Sequence, residues 1–267
     1  SDGVLTAART DTNVQANLSV TATFAINQYS VNYTAGTNGT ISGTTPQSVN
    51  HGSDATTVTA VPNSGYHFVS WSDGVLTAAR TDTNVQANLN VTATFAINQY
   101  TVTYTAATDG TISGTTPQSV NHGFDATTVT AVPDTGYHFV SWSDGVLTAA
   151  RTDTNVQANL SVTANFAINE YTVTYTAVAN GTISGTSPQT INHGSDATTV
   201  TAVANSGYHF VSWSDGVLSE SRTDTNIQAN LSVTANFELD PYEAWITSYP
   251  SITNPADQAP SADPDHD

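Results

Sequence analysis

The motif YHFVSW places a tryptophan at Trp71, Trp142 and Trp213, and both intervals are 71 residues. The rest of the chain keeps that period. SDGVLTAARTDTNVQANL starts at Ser1, Ser72 and Ser143, with a variant at Ser214. TISGTTPQSVNHG starts at Thr40 and Thr111, and TISGTSPQTINHG at Thr182. Repetition of this kind sets the architecture before any local motif is read. A period near 70 is longer than most solenoid units and fits a string of small domains. The phase predicts β modules over 29–95, 100–166 and 171–237. Residues 1–26 read as the second half of an incomplete repeat, and 238–267 as a short helix with a Pro- and Asp-rich tail. AINQ (Ala96–Gln99) and AINE (Ala167–Glu170) are linkers without Gly or Pro, which limits the angles between neighbours.

Within a unit the strand signals are short. YTVTYTA (Tyr100–Ala106) and ATTVTAV (Ala126–Val132) alternate, and PDTG (Pro133–Gly136) punctuates them. YHFVSW and the closing LSVTANF (Leu160–Phe166) complete five to six strands. The stretch TAARTDTNVQ holds at most one helical turn, because Thr and Asn are poor helix formers.

GYHFVSWSDG carries histidine, serine and aspartate together, as a hydrolase site does, and it occurs three times. Strict alternation sends Tyr66, Phe68 and Ser70 to one face and His67, Val69 and Trp71 to the other. A nucleophilic serine needs its base within hydrogen-bond reach, so the alternation disfavours catalysis. Two bulky faces suit a strand covered on both sides. A unit this small buries only about 60% of its unfolded surface and relies on dense aromatic packing. Trp71, Trp142, Trp213, Phe68, Phe139 and Phe210 are therefore the expected structural core, joined by Tyr29, Tyr33, Tyr66 and the positions of the Phe24 type. No catalytic or cofactor-binding residue stands out, and the chain reads as non-enzymatic.

The net charge is −18, and the four cations are all arginine. Such a chain cannot neutralise phosphates, which argues against nucleic acid, and against anionic membrane surfaces. No apolar run is long enough to span a membrane. The opening SDGVLTAART has neither a basic start nor an apolar signal core. The absence of cysteine excludes disulfides and thiolate sites. The absence of lysine excludes Lys–Asn isopeptide crosslinks, so packing and contacts between neighbours must supply stability.

The pattern YTVTYTA, GTISG, QSVNHG, ATTVTAVP, GYHFVSWSDG, NVQANLSVTATF resembles the divergent internalin-B-type (InlB B-repeat-like) repeat. The resemblance spans about Tyr29–Phe237 and the half unit before it. It implies all-β modules, β-grasp-like, in tandem on bacterial surface or secreted proteins. It further implies a stalk, spacer or adhesive role without catalytic residues. The strand signals themselves also leave an Ig-like sandwich open.

Some side chains remain for other chemistry. Arg9, Arg80, Arg151 and Arg222 all stand in RTDTN, and Arg80 with Asp82 reads as an exposed, turn-fixing pair of about 0–1 kcal/mol. The alternative is a calcium ion gathered by Asp73, Asp82 and Asn84. His51, His122 and His193 lie in NHG turns and read as turn residues. Phe124 replaces Ser53 and Ser195 of the other units and is the candidate contact for a ligand or another chain.

In the tail, Asp240 reads as an N-cap, Pro241 as the first helical residue and Glu243 as its capping-box partner. Tyr242, Trp245, Ile246 and Tyr249 form one apolar face, suited to capping the last module or docking a partner. Asp263, Asp265 and Asp267 alternate as in a D-x-D-x-D loop and resemble the start of a thrombospondin type 3-like or dockerin-like calcium repeat. They are the candidate, incomplete Ca2+ ligands.

The expectation is an extracellular or cell-surface array acting as spacer, stalk or fibre-forming segment. Its alternative is an adhesin whose repeats bind a glycan or protein. The expected partners are copies of the chain itself, by filament formation or strand complementation, or a host or surface ligand.

Overall fold

The computed structural model describes residues 3–248. Three repeats carry 21 strands, seven in each, and one helix, α1 (Pro241–Ser248), follows them. In the first repeat these are β1 (Gln28–Ala35), β2 (Gly39–Ser42), β3 (Gln47–Asn50), β4 (Val58–Pro62), β5 (Tyr66–Trp71), β6 (Ala79–Arg80) and β7 (Leu89–Ile97).

They form two sheets. One has the order β3-β1-β7-β5, and the other β2-β4-β6. The first and last strands run parallel at the centre of the larger sheet, Val31 opposite Leu89 and Ala35 opposite Ala93. The smaller sheet is antiparallel, with β4 between β2 and β6. The same two sheets recur in the second and third repeats.

The core lies where the inward residues of both sheets meet. Val31, Tyr33, Trp71, Val91 and Ala93 come from the larger sheet, and Val58 and Ala60 from β4. Val85 and Ala55 seal it from loops. The third repeat packs the equivalent residues around Trp213.

Two local expectations change. TAARTDTNVQ contains no helix. Its Ala79–Arg80 pair is a two-residue strand against Val58 and Thr59, and this is the strand missing from the sequence reading. Thr and Asn give the stretch little helical tendency, and pairing with β4 fixes the short strand. The second change is in β5. Its register with β7 shifts between Phe68 and Ser70, so Phe68 faces Phe95 while Trp71 faces Ala93. The extra residue of this bulge breaks the alternation. Phe68 and Trp71 therefore share the core face, ring centroids 6.0 Å apart, instead of taking opposite faces. The outer face of β5 is open, since His67 and Val69 are exposed. The strand is covered on one side only.

The final strand also runs further than the sequence suggested. Ala96 and Ile97 belong to β7, the next strand starts at Gln99, and only Asn98 lies between. Residues 3–27 contain no strand or helix and are exposed throughout. Yet residues 1–27 match 72–98 except for Ser19 in place of Asn90.

The chain divides into two compact units. One is Ser1–Thr101 with Ser119–Ala126 and Thr154–Asn159, and the other is Val102–Gln118, Thr127–Asp153 and Leu160–Asp267. The division cuts through the second repeat and leaves each joint between consecutive repeats inside one unit.

Candidate functional site

Two arrangements recur with the repeat. The first is an ionic cluster at the edge of the core. β6 points Arg80 inward, and its side chain is only 6% exposed. Nε donates to Asp82 Oδ2 at 3.0 Å and Nη2 to Asp82 Oδ1 at 2.6 Å. Nη1 and Nη2 reach both oxygens of Asp73 at 3.1 and 2.9 Å. The Tyr33 hydroxyl donates to Asp82 Oδ2 at 2.7 Å. The guanidinium carbon stands 5.0 Å from the Trp71 ring centroid and 5.7 Å from that of Tyr33, within cation–π range. Arg151 and Arg222 repeat this geometry with Asp144, Asp153, Tyr104 and with Asp215, Asp224, Tyr175.

Arg80 is thus no exposed surface pair. A planar fork with five donors can grip two carboxylates at once and still stack on an indole. Burial disfavours the Arg80 charge, but the hydrogen bonds to Asp82 and Asp73 outweigh it and hold the guanidinium above its ordinary value. Hydrogen bonding to Arg80 holds Asp73 below the usual carboxylate range. Burial pushes Asp82 up, while Arg80 and the Tyr33 hydroxyl more than reverse this. Burial, followed by the bond to Asp82, raises the Tyr33 phenol well above its ordinary value. Asp73 and Asp82, candidates for a calcium ion, are both committed to this arginine. Among the described residues no group of three or more His, Asp or Glu is gathered for a metal.

The core residues named from sequence sit against this cluster. Trp71, Trp142 and Trp213 are each 1% exposed. The Trp71 Nε1–H donates to Thr77 O at 3.0 Å. Phe68, Phe139 and Phe210 are half-buried and pack edge-on against Phe95, Phe166 and Phe237. Sequence reading missed Gln47. It is buried, donates to Thr44 O and Thr56 O, and accepts from Thr56 N–H. Its alternation with Val49 on one face of QSVN was the available signal.

The second arrangement is the joint between repeats. Asn98 donates its backbone N–H to Gly65 O at 2.8 Å, and its Oδ1 lies 2.9 Å from His67 Nδ1. Its carbonyl accepts the N–H of His122 at 2.8 Å. The His122 ring lies against Gly65 so closely that a Cβ there would overlap it. Tyr100 packs against that imidazole, centroids 5.9 Å apart, with its hydroxyl 3.5 Å from His122 Nδ1. The next joint repeats this with Asn169, Gly136, His138, His193 and Tyr171. His67 and His138, placed by strict alternation on the face opposite Ser70 and Ser141, bond asparagines of the joint. The NHG histidines His122 and His193 are joint residues as well as turn residues.

Phe124 is 60% exposed. α1 forms where expected, but none of its described residues is buried, and Trp245 is exposed. Tyr249 and the candidate calcium ligands Asp263, Asp265 and Asp267 lie outside the described residues. Among the described residues no helix is long and apolar enough to cross a membrane.

Seven-strand, two-sheet units with a buried Arg–Asp–Tyr–Trp cluster, joined through one residue, define a tandem array of small β domains. The chain belongs to the divergent InlB B-repeat domain family, which matches residues 29–99, 100–170 and 171–241. No curated protein matches the chain. Among solved structures it is similar to the Bacillus anthracis TIE protein, at 9% identity and a TM-score of 0.38, covering 80% of this chain and 51% of that one. It is also similar to Streptococcal High Identity Repeats in Tandem (SHIRT) domains 3-4 from a cell surface protein. There the identity is 15% and the TM-score 0.20, over 53% of this chain and 99% of the other. The chain spans about half the length of the TIE structure.

Proposed function

We propose that the array is a non-enzymatic spacer on a bacterial surface or secreted protein, which sets the distance between what it carries and where it is attached. The observation that carries this reading is the one-residue joint. Asn98 and Asn169 are the only residues between consecutive strands of neighbouring repeats, and each is bonded on both sides. A joint without free linker makes each added repeat a fixed increment of reach. Within each repeat the two aspartates nearest the core tryptophan are held by Arg80 or its counterparts. Membership of the divergent InlB B-repeat family supports surface placement.

The test is to insert or delete whole 71-residue repeats and measure the end-to-end length by electron microscopy. The spacer reading expects a constant increment per repeat. Particles whose length does not follow repeat number would overturn it.

A second reading is an adhesin, and Phe124 favours it as the exposed aromatic present in one repeat alone among its equivalents. Phe124→Ser should abolish binding to a glycan array or to host-cell surface protein under that reading. It should leave reach unchanged under the first.

A further inference from the structure

We propose that the Gly-Tyr-His turn opening the fifth strand of each repeat is a docking site for the joint asparagine and the NHG turn of the next repeat, and that the α1 segment plugs this site on the third repeat. The inference concerns how units are joined and stands whether the array is a spacer or an adhesin.

The site is seen occupied three times. At Gly65 the occupant supplies Asn98 and His122, and at Gly136 it supplies Asn169 and His193. At Gly207 no fourth repeat is present among the described residues, and the positions are filled from the α1 segment. Asp240 donates its N–H to Gly207 O at 2.9 Å, as the asparagines do. Its Oδ1 lies 3.2 Å from His209 Nδ1, where Asn98 and Asn169 lie 2.9 Å from His67 and His138. Glu243 takes the place of the histidine, its Cγ 3.5 Å from where a Gly207 Cβ would stand. Asp240 follows the repeat in sequence, 71 residues after Asn169, whereas Glu243 reaches the histidine's place from an unrelated stretch. The histidine's place is thus reached by side chains of two unrelated segments, which marks the turn as a receptor surface.

The three glycines have nearly the same backbone, with φ of +80°, +85° and +79° at Gly65, Gly136 and Gly207. Substitution by Ala therefore strains each alike. The occupants differ. A Cβ at Gly65 meets a histidine ring fixed by Tyr100, whereas a Cβ at Gly207 meets the flexible stem of Glu243 at ordinary contact distance. Gly65→Ala should therefore disturb its joint more than Gly207→Ala.

The test measures amide hydrogen exchange by NMR in the full chain, at Asn98, Asn169 and Asp240. Gly65→Ala is expected to accelerate exchange at Asn98 by about tenfold or more, with a smaller change at Asp240 in Gly207→Ala. Adding His122→Ala to Gly65→Ala should restore part of the protection by removing the ring that clashes. Ala244→Pro removes the bond from Ala244 N–H to Asp240 O and breaks α1. It should expose Asp240 and leave Asn98 unchanged. Equal acceleration in the two glycine variants, no relief from His122→Ala, or an unaltered Asp240 in Ala244→Pro would each overturn the proposal.

Discussion

Arg80 lies over the face of Trp71, its guanidinium carbon 5.0 Å from the ring centroid, while its nitrogens hold Asp73 and Asp82. The largest aromatic residue of the core and the only cation of the repeat thus form one structure. Arg151→Lys should destabilise the second repeat by about 1–3 kcal/mol, because an ammonium cannot satisfy two carboxylates and stack at once. The exposed counterpart Arg9, whose side chain is 26% accessible and pairs with Asp11, is the control. Arg9→Lys should change stability by about 0.5 kcal/mol or less. Urea unfolding of both variants checks this, and equal midpoints would refute the role given to the buried cluster.

Trp142→Ala should remove about 3–5 kcal/mol from the second repeat. Small domains hold little more than that in reserve, so the second repeat should unfold. Hydrogen exchange should show loss of protection in its strands. An unchanged thermal midpoint would remove the tryptophan from the core.

The pH response has two limits. Asp73, Asp82, Asp144, Asp215 and Asp224 titrate below the ordinary value of 3.8 in the folded chain. Their contribution is complete above that value and disappears as pH falls through the lowered folded values. Tyr33, Tyr104 and Tyr175 are raised above the ordinary 10.0, so their contribution is complete below pH 10 and declines as pH rises beyond it. Thermal midpoints should stay flat between about pH 5 and 9 and fall on both sides. An ultraviolet titration should find three phenols still protonated at about pH 11 in the folded protein. Loss of stability already at pH 6 would place the sensitive groups elsewhere.

Chelation should leave the repeats unaffected. Two carboxylates bound by one guanidinium offer a cation no free ligand set, so calorimetry with and without EDTA should give the same midpoint for the repeats. A drop of several degrees would bring back the calcium reading of Asp73, Asp82 and Asn84.

The period, the strand-rich composition and the aromatic identity of the core follow from sequence, since repetition and alternation are properties of the chain itself. The bulge in β5 was not legible, because a one-residue register change depends on what Phe95 and Ala93 present from the neighbouring strand. The joint was equally hidden. Nothing local in NHG says that His122 will close on Gly65 of the preceding unit. Arg80 and Asp82 are near neighbours in sequence, but their burial required Tyr33 and Trp71 to arrive from two other strands.

Residues 1–27 show the division most directly. LSVTATFAI at Leu18–Ile26 and LNVTATFAI at Leu89–Ile97 differ at one position, yet only the second is a strand. Alternation and β-propensity fix what such a segment can become. Whether it becomes a strand is decided by β1 and β5 on either side, because a lone strand can neither satisfy its backbone hydrogen bonds within itself nor bury its apolar face.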